Sequence, residues 1–334
     1  MRIRIKKPGL LSTIQDAGRI KFLAQAVPIS GALDQLLSGI ANKLLGNADN
    51  DAVIEFTYGG ILFTTETDCL IALVGLGAFF KANEIKIPLN RPVFIPKGTQ
   101  VFIENNTQGS HSYLAVAGGW NVPEVLGSKS TFLTASFGGF EGRQLQENDV
   151  PSSNEQLSLT SQIILAQLQG EKINYTMWSV PPKQFLTNTA NTIRVILGRE
   201  FEWFDESAIA DFLTKPYQLT ANCNRMGYHL DGPVLNRKNS HQQELLSTAV
   251  APGIIQVTGS GALILLMADC QTTGGYPRIA KVAEVDMPLC AQLKPGDLLN
   301  FEPISMEQAE ILYLNQEKDL RKLNHAIQFK FNII

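Results

Sequence analysis

Short runs rich in β-branched or aromatic residues recur along this chain, and they limit its fold more than any other feature. Residues 61–63, 69–74, 93–95, 101–103, 113–117 and 193–197 are runs of this kind, and Gly, Pro, Asn or Thr clusters separate many of them. Segments this short and this closely punctuated suit strands joined by turns, so the pattern predicts a barrel or sandwich rather than a βαβ array. Helical signals are few. Asp34 stands where an N-cap belongs, ahead of Leu37, Ile40, Ala41 and Leu44 on one helical face, with Gly46 near the far end. Asp205 opens a second segment carrying Ala208, Ile209, Phe212 and Leu213, which must stop near Pro216. Ser305 and Gln308 have the spacing of a capping box. The helix they open puts Ala309, Leu312, Leu320 and Leu323 on one side and reads as a docking element rather than a catalytic one.

The 334 residues are 44% hydrophobic and 18% charged, enough for a substantial core, and the length suggests two domains. A boundary is expected near residues 185–191, giving a β-rich lobe over 1–187, a barrel lobe over 188–304 and a helix with a tail over 305–334. Both halves open on strand-like segments, Arg2-Ile3-Arg4-Ile5 and Ile193-Arg194-Val195-Ile196. That hints at duplication, although four residues do not establish a repeat. The net charge of −3 supplies no broad basic surface for nucleic acid or anionic lipid. Residues 254–268 are apolar but broken by Gly259, Ser260 and Gly261, too short a stretch to span a bilayer. The basic start has no apolar segment of a secretory signal behind it, so a cytoplasmic protein is expected. Cys69, Cys223, Cys270 and Cys290 are widely scattered and read as buried free thiols in a reducing compartment. His111, His229, His241 and His325 show no metal-ligand spacing, so no catalytic metal is expected.

One stretch looks built for chemistry. The apolar run 262–268 reads as a buried strand, and it opens into Asp269-Cys270-Gln271-Thr272-Thr273-Gly274-Gly275-Tyr276-Pro277-Arg278. Core packing has no use for that mixture. Glycines that let backbone N–H groups approach, with Thr, Gln and Arg donors, suit a small polar or anionic ligand. The alternative is a Gly-Gly turn with surface polars. A second cluster, residues 222–230, holds Arg225, Tyr228 and His229. As a strand it would align Arg225 with Gly227 and His229, and Tyr228 with Met226 and Leu230. Arg225 reads equally as an anion anchor or as a partner of an acidic neighbour such as Asp231 or Glu244. In Gln15-Asp16-Ala17-Gly18-Arg19, a corner made by Asp16 and Arg19 is either a structural clamp or a ligand site. Residues 28–34 read as a turn into the first helix. Gly118-Gly119 and residues 137–143 would let amides approach a phosphate or carboxylate. Residues 127–130 are not a Walker A loop, and neither a G-x-G-x-x-G nor a G-x-S-x-G motif is present. Any catalysis is therefore expected to work by electrostatic stabilisation and positioning.

Taken in order, residues 9–19, 27–34, 41–47, 113–119, 225–228 and 269–280 closely resemble one family over about residues 9–300. It is the biotin-dependent carboxyltransferase group, also known as allophanate hydrolase subunit 2 or the KipI-antagonist family. The resemblance implies a mainly β fold of two lobes with cyclophilin-like β-barrels and a few peripheral helices. Stand-alone bacterial members look like the C-type subunit of an ATP-dependent 5-oxoprolinase, which opens 5-oxoproline to L-glutamate. That implies two partners, a KipI-like B-type subunit plus the A-type one. It also implies ATP bound by the complex if not by this chain, and no activity alone. This chain has no Met-Lys-Met biotin acceptor, so any biotin would come on another polypeptide. Two alternatives accompany the resemblance: carboxyl transfer from carboxybiotin to urea or a related amide, and regulation by binding a KipI-like kinase inhibitor. The matched motifs suggest Arg225, Tyr228, Gln271, Thr272, Thr273 and Arg278 for catalysis. They suggest Gln15, Asp16, Arg19, Asp34, Gly274, Gly275 and Tyr276 for substrate binding. Lys21, Leu23, Ala26 and Leu33 depart from the family's usual residues and bear on substrate choice more than on fold. Changing Arg225 or Arg278 to Ala is expected to lower turnover and leave the fold intact.

Overall fold

The punctuated runs become strands. The computed structural model describes residues 1–186, 191–241 and 245–331, which divide into two units. The first comprises Met1–Arg19, Ser30–Gln184 and the chain from Asp319 onward; the second comprises Ile20–Ile29 and Phe185–Lys318. The expected boundary at 185–191 falls partly on residues 187–190, outside the described residues.

Strands β1 (Ile3–Pro8), β2 (Leu11–Gln15), β3 (Val53–Thr57), β4 (Ile61–Thr65), β5 (Cys69–Gly75) and β6 (Ala78–Ala82) begin the first unit. They are followed by β7 (Ile85–Ile87), β8 (Pro92–Ile95), β9 (Gln100–Asn105), β10 (His111–Val116) and β11 (Asn174–Tyr175). They form two sheets, ordered β1-β4-β9-β6-β7 and β11-β8-β5-β10-β3-β2. Alternating apolar side chains from both sheets share one core, which includes Ile3, Ile14, Phe56, Phe63, Phe80 and Trp120. Helix α1 (Gln35–Leu45) packs on β5 and β10. Its caps are the expected ones: Asp34 accepts from the Leu37 N–H at 2.9 Å, and Gly46 takes a left-handed φ of 70°. Gly46 is also required sterically, because a Cβ there would run into Thr160 of α2 (Leu159–Leu168).

The second unit contains β12 (Thr192–Leu197), α3 (Glu206–Thr214), β13 (Tyr217–Cys223), β14 (Gly227–Asp231), β15 (Thr248–Ala249) and β16 (Ile254–Val257). Then come β17 (Leu263–Leu266), β18 (Thr273–Gly274), β19 (Arg278–Val282), α4 (Met287–Ala291), β20 (Leu298–Pro303) and the start of α5 (Met306–Lys330), whose residues from Asp319 on are counted with the first unit. Seven of these strands close a barrel in the order β12-β19-β16-β17-β14-β13-β20. The seam is the parallel pairing of β20 with β12, Thr192 opposite Asn300. Helix α3 begins at the Asp205 cap and brings Phe212 into a stack with Phe301, ring centroids 4.8 Å apart. The capping box of α5 is reciprocal: the Gln308 N–H donates to Ser305 Oγ at 3.1 Å, and the Ser305 N–H donates to Gln308 Oε1 at 2.8 Å. Ala309 and Leu312 pack beside Ala283 and Val285, while Leu320 and Leu323 are half-buried. Among the described residues, no helix is long and apolar enough to cross a membrane. Cys69, Cys270 and Cys290 are buried, Cys223 is half-buried, and burial pushes all four thiols up from their ordinary pKa.

One local expectation is corrected. Residues 222–230 do not form a continuous strand, because β13 ends at Cys223 and β14 starts at Gly227. Arg225 lies in the turn between them, so the strand-face alignment with Gly227 and His229 does not hold. The Asn224 side chain shapes that turn by accepting from the Met226 N–H at 2.8 Å.

Candidate functional site

The polar stretch begins where β17 leaves the barrel. The Met267 N–H donates to the Met226 carbonyl at 3.1 Å and the Asp269 N–H to the Arg225 carbonyl at 2.8 Å, clipping the 224–226 turn to the start of the loop. Side chains close the same clip. Arg225 Nε donates to Asp269 Oδ2 at 2.8 Å and Nη2 to Oδ1 at 3.2 Å, a two-pronged pair with side chains only 6% and 4% exposed. Of the acidic neighbours expected for Arg225, Asp231 ends β14 on the surface and Glu244 lies outside the described residues; the partner found is Asp269.

Arg278 fixes the other end of the loop. Its Nε donates to Glu200 Oε2 at 2.8 Å, its Nη2 to Oε1 at 2.6 Å, and its backbone N–H to Oε2 at 3.1 Å. Gly198 permits this approach, since a Cβ there would collide with the Arg278 carbonyl. Burial pushes the Glu200 carboxyl up, but the Arg278 hydrogen bonds and charge outweigh burial and hold it below its ordinary value. A depressed folded pKa means that Glu200 stabilises the fold fully above its ordinary value of 4.5, and loses that contribution as pH falls through the folded value. Glu200→Gln is therefore expected to be less stable than the unaltered chain at pH 7, and the gap is expected to narrow in acid. Urea unfolding at stepped pH measures this, and a gap independent of pH counts against it.

Between these anchors, Thr273 and Gly274 form β18 and pair with β15, and the Val250 N–H donates to the Thr272 carbonyl at 2.9 Å. Gln271, Thr273 and Tyr276 are exposed, while Thr272, Gly274 and Gly275 are half-buried. The loop thus collects Gln271, Thr272, Thr273, Gly274, Gly275, Tyr276 and Arg278, with Arg225 clipped to its start. Tyr228, in β14, is 3% exposed, pairs with Leu265 and shares a strand face with Leu230. Both guanidiniums are held by carboxylates, so the groups turned toward solvent are neutral ones: hydroxyls, an amide and a phenol.

The first unit has its own buried polar corner, centred on Asp16. Oδ1 accepts from Ser128 Oγ at 2.6 Å, Ser130 Oγ at 2.5 Å and the Gly18 N–H at 2.8 Å, and Oδ2 accepts from the Lys129 N–H at 2.6 Å. Residues 127–130 are therefore an anion cradle, and the anion in it is the chain's own carboxylate. Arg19 donates to the Ser130 carbonyl and lies 4.9 Å over the Phe137 ring. Gln15 Nε2 donates to Thr13 Oγ1 at 3.0 Å and to the Thr131 carbonyl at 3.2 Å. The Ala32 N–H donates to the Asp16 carbonyl at 2.9 Å, which ties the turn before α1 to this corner. Beyond that turn, the Asp34 N–H donates to the Tyr113 hydroxyl at 2.8 Å, and Tyr113 donates to Glu55 at 2.9 Å. Burial first, then the Glu55 and Asp34 charges, push the Tyr113 phenol well above its ordinary pKa, so it stays a donor. The two glycine-rich stretches turn inward: Gly118 N–H donates to Asn47, Gly119 N–H to Val116, Gly139 N–H to Lys129 and Gly142 N–H to Gly138.

Sequence reasoning missed Ser128, Ser130, Glu55, Glu200 and Gln256. Residues 127–130 carry a signal, a Ser-Lys-Ser run after glycine, which suits a carboxylate as well as the phosphate of a nucleotide. Gln256 also carries one, as a lone amide inside an apolar strand.

The sequence profile of the carboxyltransferase domain, subdomain A and B, matches residues 25–303. The chain is 34% identical to the C subunit of 5-oxoprolinase from Escherichia coli (strain K12), covering 96% of this chain and 97% of that protein. Identity to the C subunit of 5-oxoprolinase from Haemophilus influenzae is 32%, with 96% of each covered. Among solved structures, the Kluyveromyces lactis urea carboxylase superposes with a TM-score of 0.86 at 27% identity over 96% of this chain. This chain spans only 29% of that enzyme's length. A profile over most of the sequence, relatives matched end to end and a solved fold that superposes all agree: the chain belongs to the carboxyltransferase domain, subdomain A and B, family.

Proposed function

We propose that this chain is the C-type subunit of an ATP-dependent 5-oxoprolinase, working with an A-type partner and a KipI-like B-type partner and inactive alone. The observation that carries the reading is the end-to-end match, in both directions, with two proteins named as the C subunit of 5-oxoprolinase. In the reaction, 5-oxoproline, ATP and two waters give L-glutamate, ADP and phosphate, one water opening the lactam and one accounting for the cleavage of ATP. Activating a lactam with phosphate calls for donors toward a carboxylate, an amide oxygen and phosphoryl oxygens. Gln271, Thr272 and Thr273 supply neutral donors, and Arg225 and Arg278 hold the loop that carries them. In the first unit, Gln15, Asp16, Arg19 and Asp34 belong to a hydrogen-bonded corner suited to shaping a substrate pocket. A second reading, carboxyl transfer to urea or a related amide, draws support from the urea carboxylase superposition, but over a minor part of that enzyme.

The test is ATP hydrolysis by this chain co-expressed with both partners, with and without 5-oxoproline. Stimulation that vanishes when this chain is omitted is the expected result. A stable complex with no stimulation, bearing a biotinylated partner on a streptavidin blot, would move the reading to carboxyl transfer. Nucleotide binding to the separated chains reports which of them holds ATP.

A further inference from the structure

Gln256 lies in β16 between Ile255 and Val257, both buried on the barrel side, so alternation turns its amide away from the barrel. It is nevertheless only 1% exposed, because the polar loop lies against it. Its Nε2 donates to the Tyr276 carbonyl at 3.2 Å, and its Oε1 accepts from Gln271 Nε2 at 3.4 Å. Tyr276's carbonyl can only accept, which fixes which end of the amide faces it. Gly274 passes so close that a Cβ would stand 2.7 Å from Gln256 Nε2. The β16–β19 register slips between Ile255 and Gln256, with Ile279 the extra residue on β19, so β19 bends where Arg278 comes opposite Gln256. An aliphatic residue would serve the barrel as well with fewer demands, since a buried amide is tolerated only when its bonds are met.

We propose that Gln256 is a positioning residue: one buried amide that sets the distance between Gln271 and Tyr276 and seats Gly274 between them, so that the loop presents its neutral donors in one fixed array. The array suits a small amide or lactam that also bears a carboxylate. That ligand class rests on the 5-oxoprolinase reading above; the positioning role does not.

The experiment compares Gln256→Met, similar in length and without hydrogen bonds, with the unaltered chain in the complex with both partners. The first readout is amide hydrogen exchange, and the second is KM for 5-oxoproline against kcat. Gln256→Met is expected to speed exchange about tenfold in residues 248–250 and 271–277 only, and to raise KM about tenfold with a smaller change in kcat. Unchanged exchange in those residues overturns the proposal. So does faster exchange throughout the barrel with a lowered unfolding temperature, which would make Gln256 a packing residue. If Gln256→Met does not fold, Gln271→Met removes the Gln256–Gln271 bond from the exposed side and must give the same local exchange change. A complex of unaltered chains that ignores 5-oxoproline defeats the functional reading, while the exchange measurement still decides the positioning role.

Discussion

Arg225→Ala is expected to lower folding stability by about 3–5 kcal/mol, because it leaves the Asp269 carboxylate buried without its guanidinium. Asp269 is 4% exposed, and Arg225 donates both of the side-chain bonds it accepts here. An ionised carboxylate in such surroundings either keeps a partner or gives up its charge. The expectation that this substitution would spare the fold therefore changes once the pair is seen. Replacing both members with apolar residues, Arg225→Met with Asp269→Leu, is expected to recover most of the loss, since a buried pair contributes little beyond what apolar packing can supply. Urea denaturation midpoints for the two single variants and the double variant measure the coupling directly. A single variant within about 0.5 kcal/mol of the unaltered chain, the range of an ordinary surface substitution, would show that the pair does not hold the loop. Turnover in the double variant then separates roles: a stable but inactive protein assigns Arg225 a part in catalysis beyond anchoring.

Asp16→Ala carries a comparable penalty by a different route. Four donors converge on this carboxylate, two hydroxyls and two backbone N–H groups, and all four lose their acceptor together. Each buried donor left unmet costs about 1–3 kcal/mol, although the hydroxyls can rotate toward other acceptors, so a total of about 3 kcal/mol or more is expected. Asp16→Asn keeps one oxygen and is expected to fall between the two. Gly138→Ala attacks the same corner from outside, since Gly138 has a φ of 72° and a Cβ there would meet the Ser130 carbonyl and stand 2.9 Å from Arg19 Nη2. Thermal unfolding of the three variants is the measurement. If Asp16→Ala leaves the midpoint unmoved, the corner is not structural and Asp16 becomes a stronger candidate for ligand contact.

The parts of the fold that were legible in the sequence are those with local causes. Asp34, Asp205 and Ser305 mark helix starts because a cap acts within one turn, and the six punctuated runs are strands because alternation and turn chemistry are also local. Helix α2 was not legible: Leu159 is 59% exposed while Ile164 and Leu168 are buried, so its apolar residues form no single stripe. The polar loop was legible as a loop, since glycine and hydroxyl side chains announce one. Its anchors were not. Asp269 is 44 residues from Arg225 and Glu200 is 78 from Arg278, distances that only the closed barrel brings to hydrogen-bond length. The turn at Arg225 escaped for the opposite reason, because Asn224 acts over two residues inside a stretch whose alternation suggests a strand.

The parallel seam between β12 and β20 sets a timetable for biosynthesis. The first strand of the barrel finds one of its two neighbours only when the last strand has left the ribosome, with the rest of the barrel sequence already outside. Until then β12 and β13 each keep a raw edge, and raw edges recruit other strands. Contacts that join such distant parts of a chain form slowly, so closing the seam is the slow step in assembling this unit. A chain cut before Leu298 lacks β20 and would be released with an open sheet, a natural client for chaperones and proteases.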